Sequence, residues 1–355
     1  MLPKVWIAGF NPFSLDQCGA WKEIDLNEYF KISNASPKEE CLLEITSTHA
    51  LLANGSQLFS YSAVTEDNNQ HTLAHKVVSI SASNWHCLVL LANGDLFLYD
   101  IHENRLSKLD FLNVERPLDG SNDEPETITK IACGDQVSLA VTSAKSVFNI
   151  PNRTITFPRH VRITKIAVGL EHCLLLTSNG DVYSFGGGLR GQLGNGEIVP
   201  HQEQPELVDA LAGVKIVDIA AGGWHSVAVS AFGDAYCWGW NSRGQLGLPA
   251  GKGSVQSVPQ LVDIEGDDGE EVSLEKVYCG SGHTVGVCSK GRAYLAGNDL
   301  EEKMNYLKVD RDPKIERFKK FSLPAQSNGT TDLKCGPNSL FFLAKTQVRH
   351  IVGHA

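Results

Sequence analysis

Four histidines recur at one point of a repeated pattern, and they are the residues of this sequence best suited to chemistry. His86, His172, His225 and His283 each end a segment of the kind seen in IAAGGWH (219–225). Imidazole rings bind metal ions or transfer protons. A metal centre, however, needs its ligands within about 2.1 Å of one ion, and successive copies of a repeat hold such rings apart. The pattern therefore predicts buried histidines that donate to neighbouring backbone carbonyls, and no metal site.

The cysteines and carboxylates of the repeat also favour structural roles. The nine cysteines form no C-x-x-C pair, so neither a zinc site nor a disulfide framework is expected, and a reducing compartment is the default. Asp181 and Asp234 follow turn glycines, where they would support hairpins. Three cysteines share one repeat position with small apolar residues, which indicates packing rather than redox chemistry; the set is Cys133, Cys279 and Cys335 with Ala82, Val168 and Ala221.

Known catalytic patterns and membrane signals are missing from the sequence. It contains no G-x-S-x-G, H-E-x-x-H or Walker motif, so a hydrolase or cofactor-binding enzyme has little support and no cofactor is expected. The net charge of −10 argues against binding nucleic acid through phosphate neutralisation, and the basic stretch 153–165 is interpreted as solvated loop flanks. No signal peptide or membrane-spanning apolar run is recognised.

The histidine segments belong to a longer repeat. An apolar run follows each histidine, a turn glycine lies eight residues after it, and a second apolar run comes next, which predicts a β-hairpin. The first copy is counted from Ser47, eight residues before Gly55, which places His49 out of register. Copies spaced roughly 35 to 58 residues apart fit one four-stranded sheet each; their markers are 47, 86, 137, 172, 225, 283 and 339.

The two ends of the sequence complement each other. VWIAGFNPFSLDQCG (5–19) aligns with AYCWGWNSRGQLG (235–247) after two inserted residues, whereas the last copy stops at SLFFLAKTQVRHIV. We expect an all-β, seven-bladed β-propeller formed by residues 1–355, in which 1–20 completes the last blade at about 330–351 and closes the ring. The inter-blade insertions are predicted at 101–127, 249–273 and 299–329.

The remaining residues of the pattern are expected to stabilise the loops and the packing between blades. Asn241 and Gln245 would hydrogen-bond the backbone of the loop between strands, and Trp238 and Trp240 would fill the gap between blades. Five glycines would allow positive φ or close backbone approach: Gly222, Gly233, Gly239, Gly244 and Gly247.

These motifs, G-x-x-H, G-D-x-Y-x-W-G and N-x-x-G-Q-L-G, resemble the regulator of chromosome condensation repeat family of seven-bladed propellers. The match is fullest at 163–196 and 216–248. The resemblance implies a non-enzymatic, chromatin-associated scaffold in the nucleus and on chromosomes, with the cytoplasm as a further compartment. It further implies a Jumonji-C-domain oxygenase partner of the histone lysine demethylase or arginine hydroxylase class, indirect contact with histones or chromatin, and a role in chromosome segregation.

The same family offers an alternative, guanine-nucleotide exchange on a Ran-like small GTPase, the activity of its founding member. That member carries a basic N-terminal tail for chromatin. No such tail precedes the first predicted strand, so direct attachment to nucleosomes by that route is not expected.

Binding residues are sought on loops and turns. Arg190 and Arg243 occupy the same position in the two fullest copies, and with Trp224 and Trp240 they are the predicted partner-binding residues. The acidic cluster Asp267, Asp268, Glu270 and Glu271 is either solvated loop or a docking surface for a basic partner. The arginines that an oxygenase partner would modify are Arg153, Arg159 and Arg162. The segment that corresponds to the modified site of the family, TSAKSVF (142–148), carries Lys145 in place of an arginine.

Overall fold

The computed structural model describes residues 2, 4–14, 17–30, 41–110, 126–150, 153–155, 157, 161–248, 254–266, 269–297, 317–324, 333–337 and 339–343. Among these residues the chain forms seven four-stranded antiparallel sheets. The helical segments are the single turn α1 (Leu26–Tyr29) and a 3₁₀ turn, Asp209–Leu211. Neither has the length and apolar character that a membrane-spanning helix needs.

The strands, in chain order, are short and regularly spaced. They are β1 (Lys4–Phe10), β2 (Gln17–Asp25), β3 (Cys41–Ile45), β4 (His49–Asn54), β5 (Gln57–Ser62), β6 (Asp67–Thr72), β7 (Val77–Ala82), β8 (His86–Leu91), β9 (Leu96–Asp100), β10 (Arg105–Leu109), β11 (Ile128–Cys133), β12 (Ser138–Thr142), β13 (Val147–Asn149) and β14 (Arg153–Ile155). They continue with β15 (Ile163–Val168), β16 (His172–Thr177), β17 (Val182–Gly187), β18 (His201–Leu207), β19 (Ile216–Ala221), β20 (His225–Ser230), β21 (Ala235–Trp240), β22 (Val255–Val262), β23 (Leu274–Cys279), β24 (Thr284–Cys288), β25 (Ala293–Ala296), β26 (Lys319–Phe321), β27 (Lys334–Gly336) and β28 (Ser339–Leu343).

Each sheet is one blade of a propeller, and its strands are lettered A to D from the axis outward. Blades I to VI take four consecutive strands each, from β3–β6 to β23–β26. Blade VII has the order β27, β28, β1, β2, with Val5 opposite Leu343 and Gly9 opposite Ser339. The N-terminal strands thus complete the last blade, which confirms the predicted seven-bladed propeller and its closure.

The core lies between blades, because every B strand serves two neighbours at once. In β20 the side chains of Val227 and Val229 pack in one cluster with Val277 of blade VI. Ala228, between them in sequence, packs with Leu174 of blade IV. Alternation along a strand sends successive side chains to opposite faces of the sheet, so both faces of a blade are buried only within the ring.

The first blade corrects the assignment of its histidine. The backbone N–H of Thr46 donates to the His49 carbonyl over 2.9 Å, as Gly222 does to His225, so His49 occupies the repeat position of the motif histidine. The prediction that His49 is out of register was wrong. Only Gly55 and Ser56 connect β4 to β5, whereas four residues connect β20 to β21, so counting back from the turn glycine shifts the marker by two.

Candidate interaction site

The A–B turns and the described C–D loops emerge at one end of the propeller, called here the AB face. Seven A–B turns surround a cavity of about 100 Å³ on the axis. Its lining includes the repeat position shared by the cysteines, alanines and valines, as predicted for a packing site. Burial raises the pKa of Cys133 to about 11 and that of Cys279 to about 12, so these thiols stay protonated.

In blades IV to VI the glycine of the G-x-x-H motif is required by the histidine ring. A Cβ at Gly222 would lie 2.2 Å from Cε1 of His225 and 2.5 Å from the Gly280 carbonyl oxygen of the next blade. Gly169 meets His172 and the Gly222 carbonyl in the same way. The two contacts explain the motif: glycine lets the ring close under the turn and lets neighbouring turns pack around the axis.

The histidines themselves join neighbouring blades. His172 Nε2 lies 2.8 Å from Ser226 Oγ, and that hydroxyl donates to the Gln192 carbonyl over 2.8 Å. His225 Nε2 lies 2.9 Å from Thr284 Oγ1, which donates to the Gln245 carbonyl. A hydroxyl has one proton to donate, so the ring must be the donor to it. Both imidazoles therefore carry a proton on Nε2.

The predicted carbonyl is only part of this arrangement, because Nε2 of each ring donates to a hydroxyl of the next blade. A backbone hydrogen bond, with His225 for His172 and with His283 for His225, raises the pKa by less than burial lowers it. Burial is the main cause that lowers the pKa of His172 to about 3 and that of His225 to about 4. His283 lacks such a partner among the described residues, because Leu340 occupies the hydroxyl position in blade VII. Its pKa is about 3 for the same reason of burial.

The G-Q-L-G loops are fixed by the same bonds. Gln192 is fully buried; its Oε1 accepts from the Arg190 N–H at 2.8 Å, and its carbonyl also accepts from Trp238 Nε1 at 2.9 Å. In the next blade Gln245 Oε1 accepts from the Arg243 N–H, and Asn241 Oδ1 accepts from the Leu246 N–H. The predicted roles of Asn241 and Gln245 are confirmed. The loops of blades IV and V are each hydrogen-bonded to the following blade.

Three of the four predicted binding residues, Arg190, Trp224 and Trp240, are in contact. The Arg190 guanidinium carbon lies 4.4 Å from the ring centroid of Trp240 and 5.6 Å from that of Trp224. The two indoles meet edge to face, with centroids 5.3 Å apart. Arg190 is exposed and both tryptophans are half-buried. Trp238 is buried between blades as predicted, whereas Trp240 is half-buried on the AB face, where its ring meets Arg190 of the neighbouring blade.

Exposed apolar side chains lie on the loop that carries Arg190 and on β22, which that loop contacts. Leu189 is 57% exposed, Ile198 59% and Val258 38%. The loop that carries Leu189 leans on β22, since the Gly196 N–H donates to the Ser257 carbonyl over 2.9 Å. We call these three residues with Arg190, Trp224 and Trp240 the Arg190 patch. Its aromatic, arginine and aliphatic side chains are those enriched at protein interfaces.

Arg243 lies outside the Arg190 patch. It is exposed on the loop of blade V, where the turn of the next blade carries Gly282 at the position of Trp224. The position of Trp240 falls in blade VI on Asn298, outside the described residues. The second loop therefore does not repeat the two-tryptophan contact with its arginine.

A second aromatic group on the AB face was missed. The Trp85 side chain is 58% exposed, its ring centroid lies 5.2 Å from that of His102, and His49 packs against His102 at 6.0 Å. Trp85 precedes His86 as Trp224 precedes His225, so the N-W-H and G-W-H segments were the available signal.

The structure describes some of the arginines proposed for modification and some of the acidic cluster. Arg162 is exposed just before β15, Arg153 begins β14, and Arg159 lies outside the described residues. Glu270 and Glu271 are exposed in the connection from blade V to blade VI, whereas Asp267 and Asp268 lie outside the described residues.

The carboxylates after the turn glycines support hairpins. Asp234 accepts from the Ser230 hydroxyl at 2.7 Å, and the Asp181 N–H donates to Thr177 Oγ1 at 3.0 Å. Within the described part of the chain, no three His, Cys, Asp or Glu side chains are grouped in a way that could hold a metal ion.

Comparison with known proteins places this geometry in context. The regulator of chromosome condensation (RCC1) repeat matches residues 179–229 and 233–287, and a second model of that repeat matches 163–192 and 216–245. Human RCC1 domain-containing protein 1 is 33% identical over 224 residues, which cover 52% of this chain and 57% of that protein. The aligned region therefore spans little more than half of the relative.

Solved structures extend the likeness to the whole ring. Human WBSCR16 superposes with a TM-score of 0.73 at 15% identity, over 97% of this chain and 100% of that one. Prp20p from Saccharomyces cerevisiae superposes with a TM-score of 0.68 at 18% identity, over 98% and 93% of the two chains. The chain is a seven-bladed β-propeller of the RCC1 type, with matched repeats in its residues 163–287.

Proposed function

We propose that this propeller is a non-enzymatic interaction scaffold that docks a partner protein on its AB face. The observation that carries the proposal is the convergence of Arg190, Trp224 and Trp240 on an exposed surface with an apolar rim. Tryptophan and arginine are the side chains most enriched at binding hot spots. The ring supplies rigidity, so the cluster needs little ordering when a partner binds.

The partner proposed is a Jumonji-C-domain oxygenase in chromatin. Histones would be contacted indirectly, and the propeller itself would be found in the nucleus, on chromosomes and in the cytoplasm. Similarity to human RCC1 domain-containing protein 1 supports the scaffold, and the oxygenase is the partner that the resemblance of the repeat motifs implies. The arginines proposed for modification are Arg153, Arg159 and Arg162; peptide mass spectrometry after incubation with the active oxygenase would detect an added oxygen atom.

A pull-down with the purified oxygenase tests the proposal. The wild-type propeller should retain the enzyme, and Trp224→Ala and Trp240→Ala should each weaken retention by about tenfold or more. Phe232→Ala is the matched control, because Phe232 is 85% exposed on the opposite face. Undiminished retention by both tryptophan variants would remove the AB face from the proposal, and no retention by the wild type would reject the oxygenase.

Guanine-nucleotide exchange on a Ran-like GTPase is the second candidate. Its support is the likeness of the whole ring to Prp20p, a protein with described binding properties to Gsp1p and histones. Nucleotide release from a Ran-like GTPase, measured with and without the propeller, decides it; acceleration by the wild type that Phe232→Ala leaves intact would favour exchange.

A further inference from the structure

We infer that the Arg190 patch receives an acidic polypeptide segment, whose carboxylate pairs with Arg190 and whose flanking apolar side chain packs on Leu189, Ile198 and Val258. This inference rests on the proposed docking function of the AB face and adds the chemistry of the partner. Two observations carry the inference. The Arg190 guanidinium is held against an indole and has no carboxylate partner among the described residues, and exposed apolar side chains lie on its loop and on β22.

The restraint on Arg190 comes from both ends of the residue. Its backbone N–H is held by Gln192 Oε1, and Gln192 is in turn fixed by Ser226 and Trp238 of the next blade. Its guanidinium is held against two indoles. The rings stabilise the cation but provide no oxygen acceptor, so its N–H donors remain available for a carboxylate in the two-pronged geometry that arginine favours.

Several cations of this acidic chain have a carboxylate partner, whereas Arg190 has none in the part of the chain that the structure describes. Lys4 pairs with Glu23, Lys334 with Glu44, and Arg105 with Glu103 at 2.9 Å. Among the described residues Arg190 has no ion pair, although the chain carries a net charge of −10 and Glu197 is exposed in the same loop. A fixed positive charge left unpaired on an acidic protein is complementary to an anionic group of a partner.

The apolar rim distinguishes between anionic partners. Leu189 and Ile198 are more than half exposed on the loop that carries Arg190, and burying them requires apolar atoms on the ligand. A phosphate backbone has none to offer, and the net charge of −10 repels nucleic acid. The surface therefore favours a protein segment in which aspartate or glutamate is flanked by a large apolar residue.

Selection from a random-peptide display library tests the inference on the full chain. The wild-type protein should enrich peptides that contain an acidic residue next to an aliphatic or aromatic one. An enriched peptide should bind Arg190→Gln more weakly by about tenfold or more, and Arg190→Lys should recover part of the loss. The same peptide with its acid replaced by the amide should lose a similar factor on the wild type and little on Arg190→Gln.

Arg105→Gln is the matched control, because Arg105 is an exposed arginine at the start of a D strand on the same face but already has Glu103 as partner. That variant should bind like the wild type. Near-ultraviolet circular dichroism checks that the Trp224–Trp240 pair keeps its arrangement in Arg190→Gln.

The inference is overturned if the enriched peptides are basic or neutral, if phosphorylated peptides or oligonucleotides bind while carboxylate peptides do not, or if Arg105→Gln loses as much affinity as Arg190→Gln. Failure of the oxygenase pull-down alongside acid-dependent peptide binding would reject only that partner. Retention of the oxygenase that depends on Trp224 but not on Arg190 would reject only the acidic segment.

Discussion

His225 Nε2 donates to Thr284 Oγ1 across 2.9 Å between two adjacent blades, and the same hydroxyl donates onward to the Gln245 carbonyl. Thr284→Val keeps the shape of the side chain but leaves a buried imidazole donor and a buried carbonyl without this partner. We expect the free energy of unfolding to fall by about 1–3 kcal/mol. Denaturant titration measures it, with the exposed Thr65→Val as control; equal stability of the two variants would show that the inter-blade bond contributes nothing.

The motif glycine should tolerate no side chain. At Gly222 a Cβ would overlap the His225 ring and the Gly280 carbonyl, so Gly222→Ala should destabilise by more than about 3 kcal/mol or prevent folding. Gly213→Ala is the comparison, because Gly213 has φ +82 but no atom within 4 Å of the added Cβ, and conformational strain alone costs about 1 kcal/mol. Thermal melts of soluble protein compare the two; a milder loss at Gly222 than at Gly213 contradicts the steric argument.

Acid should destabilise the ring through its buried histidines. The pKa of His225 is about 4 in the folded protein, below its ordinary value of 6.5, so the unfolded chain binds more protons below pH 6.5. Stability is therefore complete above that pH and falls as the pH drops towards 4, by up to about 1.4 kcal/mol per pH unit for each buried ring.

Replacing one ring tests this pH dependence. His283→Gln should make the loss of stability between pH 6 and 4 shallower, because one proton fewer is taken up on unfolding. Removal of the exposed His201 by His201→Asn is the matched control. An unchanged slope in His283→Gln would contradict the assignment of a neutral, buried imidazole.

Closure of the ring should depend on the buried face of β1. Ile7 is fully buried and pairs with Phe341, so Ile7→Ala should cost about 2–5 kcal/mol. Ile198→Ala, at an exposed isoleucine, should change stability by less than about 0.5 kcal/mol. Calorimetric melts compare them; similar midpoints would mean that the rest of the ring is stable without the packing of this strand.

Sequence reasoning reached the fold because steric demands repeat with the blades. Gly169, Gly222 and Gly280 recur at one offset from their histidines, although blades I and II carry Thr46 and Ser83 at that position. The tight corner at Gly239 has an N-terminal copy at Gly9, which reveals the closure. It failed at His49, where the hairpin turn is two residues shorter and the offset changes. Repeat counting assumes constant turn lengths, which this sheet does not keep.

The site was only half predictable. Arg190 and Trp240 could be chosen by residue type, but their contact joins different blades and follows from the tilt of one loop onto the next. The hydroxyl partners of His172 and His225 lie more than fifty residues away in sequence. Carbonyl acceptors were predicted from the repeat pattern, and these hydroxyls were therefore missed. Residue type indicates what can bind, whereas loop placement decides which groups meet.

The pairing of Val5 with Leu343 has a consequence for biosynthesis. Strands β1 and β2 leave the ribosome before the other described strands, yet their neighbour β28 is translated more than 300 residues later. At common elongation rates of about 5–20 residues per second, this interval is tens of seconds. During that time β1 lacks its neighbour β28, and its apolar side chains are not covered by the last blade. We therefore expect the need for chaperones to be greatest while the last blade is still being made.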